Sequence, residues 1–445
     1  MPGEKTAALS REGAPLPVAP ILQRFLKTYE ERCAQEQTPV CPAIRKDLKT
    51  SIDDDQVLRK FVLVKPDDSQ PSPLPMSLEP LLMTIRDASY RPGEQPCLWG
   101  LQLSNPEVAS LALLLESKGH TPCPLTTLEL IDCKMDPWSL GRLGQALQLS
   151  SLHSLVLDYC TLGSEEIESI FSGLKNNRRL QGLSLRYCGL GPPSGPRLGS
   201  VICRSAICEL HLDGNYLQCS GALALLRPIA EYAESQGRGP PATAWPDSSV
   251  PPERVQSSQR GSSTLNQMTK SSETGTVKTT SGKKKKKKKR KKGTKKKMKG
   301  LTEAGPWLVK LYLADNGIDG KGKDGENSLL EFTQILTCLI RYSAHLKELD
   351  LGNNALGEMA AIDILEALRA RKTGKLPVLK VTVTPQISSD TFRSIWKSSN
   401  KSKVTGKRKK KVCSWMFVPV SYSHQGALYR PCTLNWADYY SRFCT

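Results

Sequence analysis

The stretch Leu152-His153-Ser154-Leu155-Val156-Leu157-Asp158-Tyr159-Cys160-Thr161-Leu162 decides the fold of this chain. Its apolar residues follow the spacing L-x-x-L-x-L-x-x-C-x-L, and the same spacing returns along the sequence. Upstream it reads Leu125, Leu128, Leu130, Cys133, Met135. Downstream it reads Leu180, Leu183, Leu185, Cys188, Leu190, and then Ile207, Leu210, Leu212, Asn215, Leu217. Two more copies follow a gap: Leu308, Leu311, Leu313, Asn316, Ile318, and Leu346, Leu349, Leu351, Asn354, Leu356. A weaker copy, Leu98, Leu101, Leu103, Pro106, Val108, precedes them all. A decayed one of ambiguous register follows near Leu376, Leu379 and Val381.

The starting positions 98, 125, 152, 180 and 207 lie 27, 27, 28 and 27 residues apart. Such a fixed period marks a repeat array. From 207 to 308 is 101 residues, one repeat plus about 74 more, and from 308 to 346 is 38, one repeat plus a loop at Gly317–Ser328. Within each unit the L-x-L pair sends two side chains to one face of a short strand, because strand side chains alternate. The Cys or Asn sits where the chain turns, and its side chain satisfies backbone groups left unpaired there. A helix follows. In Glu165–Leu174, Ile167, Ile170, Phe171 and Leu174 fall at helical spacing, with Ser164 placed to cap and Glu165 and Glu166 in the first turn. Leu329–Arg341 and Asp363–Arg371 read similarly, whereas Gly191-Pro192-Pro193 is expected to shorten the helix it opens. One unit cannot bury its apolar face alone; stacking about seven of them closes a continuous core.

The repeat length, the full helix and the alternation of Cys with Asn at the turn resemble the ribonuclease-inhibitor-like subclass of leucine-rich repeats. The resemblance covers Leu98–Val383 less the gap. It implies an α/β horseshoe solenoid, with a parallel sheet inside and helices outside, and binding as its general role.

Outside the repeats the composition changes. The net charge of +20 is concentrated in two tracts. Lys283–Lys299 holds fourteen basic residues and no acid, Lys407–Lys411 holds five more, and removing these nineteen leaves +1. Five segments follow. Residues 1–96 are expected to be mostly a helical cap, since Leu22, Phe25, Leu26 and Tyr29 line one side of a helix and Leu58–Val64 reads as a strand. Residues 97–237 form a first repeat block. Residues 238–303, rich in Ser, Thr and Lys, are expected to be disordered. Residues 304–400 form a second block, and 401–445 a basic, irregular tail.

No apolar stretch reaches the ~18–20 residues of a membrane helix. Met1–Pro20 has no apolar signal core, so a nuclear or cytoplasmic protein is expected, neither secreted nor membrane-bound. The fourteen cysteines contain no C-x-x-C pair, and the five histidines no nucleophile signature, so no metal, cofactor, small-molecule substrate or catalysis is expected. The candidate interface is the concave strand face. Its outward positions are Glu129, Asp158, Glu209, His211, Asp213, Glu348 and Asp350 against Arg186 and Lys310, with Tyr312 as an aromatic anchor. That face reads as net acidic and suits a protein partner, a basic one in particular. The tract residues Lys283, Lys289, Arg290, Lys292, Lys407 and Arg408 suit localisation or contact with RNA, DNA or another polyanion. A protein-binding scaffold is the first reading. A nuclear or nucleolar nucleic-acid-associated protein and a structural component of a cytoskeletal or ciliary assembly are the alternatives.

Overall fold

The computed structural model describes residues 18–65, 75–87, 90, 93–116, 125–162, 166–237, 306–322, 325–384 and 386–399, all in one compact unit, Met1–Lys401. The expected insertion and tail, with all six tract residues named above and the capping Ser164, lie outside them.

Nine strands form a single parallel sheet in sequence order: β1 (Lys60–Val64), β2 (Gln95–Trp99), β3 (Thr127–Ile131), β4 (Ser154–Val156), β5 (Gly182–Ser184), β6 (Glu209–His211), β7 (Lys310–Tyr312), β8 (Glu348–Leu351) and β9 (Lys380–Val383). Helices alternate with them. Two precede β1, α1 (Val18–Gln35) and α2 (Pro42–Asp53). Then come α3 (Glu79–Asp87), α4 (Asn105–Glu116), α5 (Pro137–Leu147), α6 (Glu166–Leu174), α7 (Ser194–Arg204), α8 (Gln218–Gly237), α9 (Gly325–Tyr342), α10 (Gly357–Thr373) and α11 (Ser389–Ser399). This is an α/β leucine-rich-repeat solenoid.

The register follows the leucines. Leu128, Leu155, Leu183, Leu210, Leu311 and Leu349 pair in succession and are fully buried, and Val381 continues their column. In the decayed last copy, then, Val381 and Val383 take the places of Leu349 and Leu351. The first copy is corrected by five residues. Leu98 pairs with Leu130 and not with the position of Leu125. The reason lies at the turn: Gly100 adopts φ +68°, as Asp132 does at φ 50°, so buried Leu101 stands where Cys133 stands one repeat later. Leucine spacing alone misplaced this strand, because the turn position carries neither Cys nor Asn. The sheet also begins earlier than residue 97, with β1.

The ends are closed differently. At the start, α1 buries Leu22, Phe25, Tyr29 and Cys33, and Phe25 stacks on Phe61 of β1 at 4.9 Å. At the other end α11 buries Ile395. On the helical side some pairs approach closely: a Cβ on Gly144 of α5 would lie 2.3 Å from the Ser169 carbonyl oxygen of α6. Gly191-Pro192-Pro193 does not shorten its helix; α7 runs 11 residues, the same as α5.

The two repeat blocks are one sheet. β6 pairs directly with β7, Leu210 with Leu311, across the 101-residue separation. The chain ends flanking the gap are held together, with Tyr232 and Trp307 in edge contact at 5.6 Å. Replacing residues 240–303 by a Gly/Ser linker of about ten residues should leave the thermal midpoint within about 2 °C of the parent, since closure entropy depends weakly on loop length. A fall well beyond that, measured by circular dichroism, would give the insertion a structural role.

One buried cation ties the last repeats. Arg371 is 2% exposed and donates to the carbonyls of Pro377, Ile340, Ser343 and Leu346. Burial pushes its pKa down to about 10, well above neutrality, so it is charged. The carbonyls at the end of α9 are the negative pole of that helix, which favours a cation there. Arg371→Met should cost about 3–5 kcal/mol in denaturant unfolding, because several buried acceptors lose their donors at once. Arg371→Lys should recover only part, as an ammonium cannot reproduce the guanidinium fork.

Candidate protein-binding face

Every second strand residue points away from the leucine core, so the face opposite the helices is set by the residues between the leucines. All ten expected face residues lie on it or at its rim, in three parallel rows. The first row runs Glu209, Lys310, Glu348, Lys380 across β6–β9. Lys310 Nζ meets Glu209 Oε2 at 2.9 Å, and Lys380 pairs with Glu348. The second row runs Glu129, Val156, Ser184, His211, Tyr312 and Asp350. The rings of His211 and Tyr312 stack at 4.2 Å and 5°.

The third row is built round Arg186, just past β5. Its Nε donates to Asp213 Oδ2 at 3.0 Å, and its guanidinium lies 3.6 Å from Asp158 Oδ2. Asp158 is only 2% exposed and accepts from Ser184 Oγ and the Arg186 amide, so it anchors the row and offers little to a partner. Arg186 also reaches His211 Nδ1. Since arginine can only donate, Nδ1 is the acceptor and Nε2 carries the proton toward Glu209 Oε1, 2.9 Å away. Burial, then the Arg186 charge, lowers the His211 pKa and holds the ring in that neutral form.

Reasoning from the sequence missed two cations on this face. Lys60 of β1 meets Glu129 at 2.9 Å, and Lys380 belongs to the decayed copy. With them, the six carboxylates face four cations and not two, so the face is much nearer balance. Asp350 is the exception. Its Oδ1 accepts from the Gly352 amide, but no cation among the described residues pairs with it. Burial raises its pKa, with Asp213 and Glu348 adding to the rise and the Gly352 amide and the Lys380 charge opposing it.

The larger omission is apolar. Val62, Cys97 and Ile131 of β1–β3 form a cluster separate from the main core, at 5%, 3% and 6% exposure, with Val64, Trp99, Val156 and Tyr159 packed against them. On β1–β4 the face thus combines a small, already buried apolar cluster with the Lys60–Glu129 pair, whereas on β5–β9 it is ion-paired throughout. Ile131 and Val156 were readable as the residues flanking their leucines; Val62 and Cys97 needed the strand register. Tyr159 continues the apolar half to the turns, stacking on Tyr187 at 4.7 Å.

Among the described residues no group of three or more His, Cys, Asp or Glu side chains could hold a metal ion, and no helix is long and apolar enough to cross a membrane. Of the five histidines, His153 is exposed, His211 is held between Arg186 and Glu209, and His120 lies outside the described residues.

Comparison with known proteins agrees with the architecture. The family model described as "Leucine Rich repeat" matches residues 342–358, from the end of α9 through β8 to the start of α10. Over 124 residues the chain is 30% identical to the mouse protein "NACHT, LRR and PYD domains-containing protein 12" of Mus musculus, a stretch that is 27% of this chain and 12% of that protein. The chain thus spans about an eighth of that relative's length. Fold, repeat and matches together define a leucine-rich-repeat protein.

Asp350→Asn should raise stability, by about 1 kcal/mol or less, because it removes a partly buried charge that Lys380 and the Gly352 amide only partly offset, while that amide keeps an acceptor. The sign follows from the raised folded-state pKa. The ionised form is disfavoured in the fold, so the gain is present at neutral pH and disappears as pH falls below the ordinary carboxylate range. Urea unfolding at pH 7 and pH 3.5 checks both.

Proposed function

We propose that this protein is a non-catalytic scaffold whose sheet face holds a protein partner. The observation that carries this reading is the continuity of the face: nine strands in register present ion-paired and apolar side chains on one rigid surface. Long parallel sheets of this kind suit extended recognition surfaces. Glu129, Arg186, Glu209, His211, Asp213, Lys310, Tyr312, Glu348 and Asp350 supply its polar contacts, with Asp158 beneath them. Tyr312 is the anchor, an aromatic side chain of the type enriched at binding hot spots. The repeat length of 27 to 28 residues supports placing the chain in the ribonuclease-inhibitor-like subclass.

A second contact is carried by composition. Fourteen basic residues within Lys283–Lys299 give a polyanion or localisation element that acts independently of the sheet. Such binding weakens steeply with salt.

The two contributions separate in one experiment. Partners are captured from cell extract by the full chain, by a chain lacking residues 276–300, and by Glu209→Ala/Tyr312→Ala/Asp350→Ala. Sheet-face partners should survive the deletion and fall by about 100-fold in affinity on the triple change. Nucleic acid should follow the opposite pattern. A protein partner that the triple change leaves bound would overturn the sheet-face reading.

A further inference from the structure

All nine strands run parallel, so each helix between two strands returns to the same edge of the array, where its C-terminus hands the chain to the next strand. The loops 175–181, 204–208, 341–347 and 372–379 make that passage at the ends of α6, α7, α9 and α10. They hold eight lysines and arginines and no carboxylate. Backbone bonds set them side by side: the Ala206 amide donates to the Asn177 carbonyl, the Lys347 amide to that of Val309, and the Lys380 amide to that of Lys347. Arg179, Arg204, Arg341, Lys347, Lys372 and Lys375 are exposed on this edge. The ion pairs of the described residues lie elsewhere, on the sheet face and along the helix flanks, as Lys310 with Glu209 and Arg197 with Glu168. None involves these six. A cation in a last helical turn answers the helix dipole, which accounts for Arg204, Arg341 and Lys372. Arg179 and Lys347 lie five residues past their helices, where the dipole no longer explains them.

An aromatic cluster sits among these cations. Half-buried Trp307, just before β7, meets Tyr232 of α8 edge-on at 5.6 Å and exposed His345 at 4.7 Å. In array order it falls between Arg204 of α7 and the loop that carries Arg341 and Lys347. Glu231 and Glu234, in the last two turns of α8, are the acids nearest in sequence. The basic stretch Lys283–Lys299 rejoins the fold here, since Lys299 precedes Pro306 by seven residues, at most about 25 Å of chain. Fixed cations interleaved with rings suit nucleic acid, whose phosphates meet the cations and whose bases stack on the rings. An acidic peptide has no use for the rings, and a duplex keeps its bases stacked inside.

We propose that this edge is a second binding site, for single-stranded nucleic acid, with phosphates along the exposed cations and a base against His345 and Trp307. It is independent of the sheet-face reading. From α6 to α10 are four helix intervals, about 32–40 Å at ~8–10 Å each. A 20-nucleotide strand covers that length even at the duplex spacing of ~3.4 Å per nucleotide.

Fluorescence anisotropy with a labelled 20-nucleotide oligothymidylate tests this on the full-length chain and on the chain lacking residues 276–300. Low salt keeps the edge contact measurable without the tract. The deletion should weaken binding and leave a remainder. Arg179→Glu/Lys347→Glu should weaken it by a further tenfold or more, roughly, in both backgrounds, and make the dependence of log K on log salt shallower by about 1.4, two phosphates at ~0.7 each. His345→Ala should cost about fivefold or more with the salt dependence unchanged, because stacking releases no counterions. On the chain lacking the tract, the duplex with oligoadenylate should bind about fivefold more weakly than the single strand. Glu209→Ala/Tyr312→Ala/Asp350→Ala should leave oligonucleotide binding unchanged, so the edge and the sheet face stand or fall separately. Melting curves check folding; if the charge reversal fails to fold, Arg179→Gln/Lys347→Gln replaces it, with an expected loss of about threefold. A tract-deleted chain that binds no oligonucleotide, or edge variants that bind as their parents do, would overturn the proposal. So would a duplex or polyglutamate that binds the tract-deleted chain as tightly as the single strand does.

Discussion

After β3 through β8 each turn is tied to the strand before it by one side chain. Asn215 donates from Nδ2 to the carbonyls of Leu185 and Leu212, and its Oδ1 accepts from the amides of Cys188 and Leu190. Asn354 does the same with Leu313, Leu351, Asn316 and Ile318. A parallel strand that ends in a tight turn leaves buried backbone groups without ladder partners, and each would cost about 1–3 kcal/mol unpaired. One amide resolves four of them and joins two repeats in doing so. The cysteines manage less. Cys160 donates only to the Leu130 carbonyl and Cys188 to those of Leu157 and Arg186. The residue before each of these side chains takes a left-handed conformation, at Asp132, Tyr159, Tyr187, Gly214, Asp315 and Asn353. That backbone geometry turns the amide or thiol inward, and the leucine columns then stack.

Continuity across the insertion follows from that tie. Asn316 Nδ2 reaches the Leu212 carbonyl although 104 residues separate them in the chain. The bond does not depend on what the intervening chain does, only on both turns having the same geometry. Because closure entropy rises so slowly with length, a repeat array tolerates a long excursion wherever the next unit can still find its register.

Much of this was legible because the constraint is local and periodic. The L-x-L pairs and the Cys or Asn after them gave six strands in the correct register, from Leu128 to Leu349. The reading slipped where the tie changes chemistry. Leu101 occupies a turn position that leucine spacing does not single out, and Thr384 Oγ1, accepting from the Asn354 amide, closes the last turn in place of another asparagine. The face was harder to read. Its charged residues stood out, but Val62 and Cys97 become face residues only once β1 and β2 are paired, and Lys60 becomes the partner of Glu129 only then. Long-range pairing of this sort leaves no mark in sequence spacing.

The two halves of the face have different energetic characters. On the ion-paired half the side chains hold one another: Asp158 fixes Arg186, Arg186 fixes the proton on His211, and His211 lies flat on Tyr312. Side chains already ordered in this way lose little entropy when covered, so on the proposed reading this half would contribute pre-organisation more than new ion pairs. The cluster of Val62, Cys97 and Ile131 is already removed from water in the fold and stabilises the sheet itself, at about 25 cal/mol per Å². The alternation of side chains along each strand lets both halves of the face be set without disturbing the leucine columns beneath.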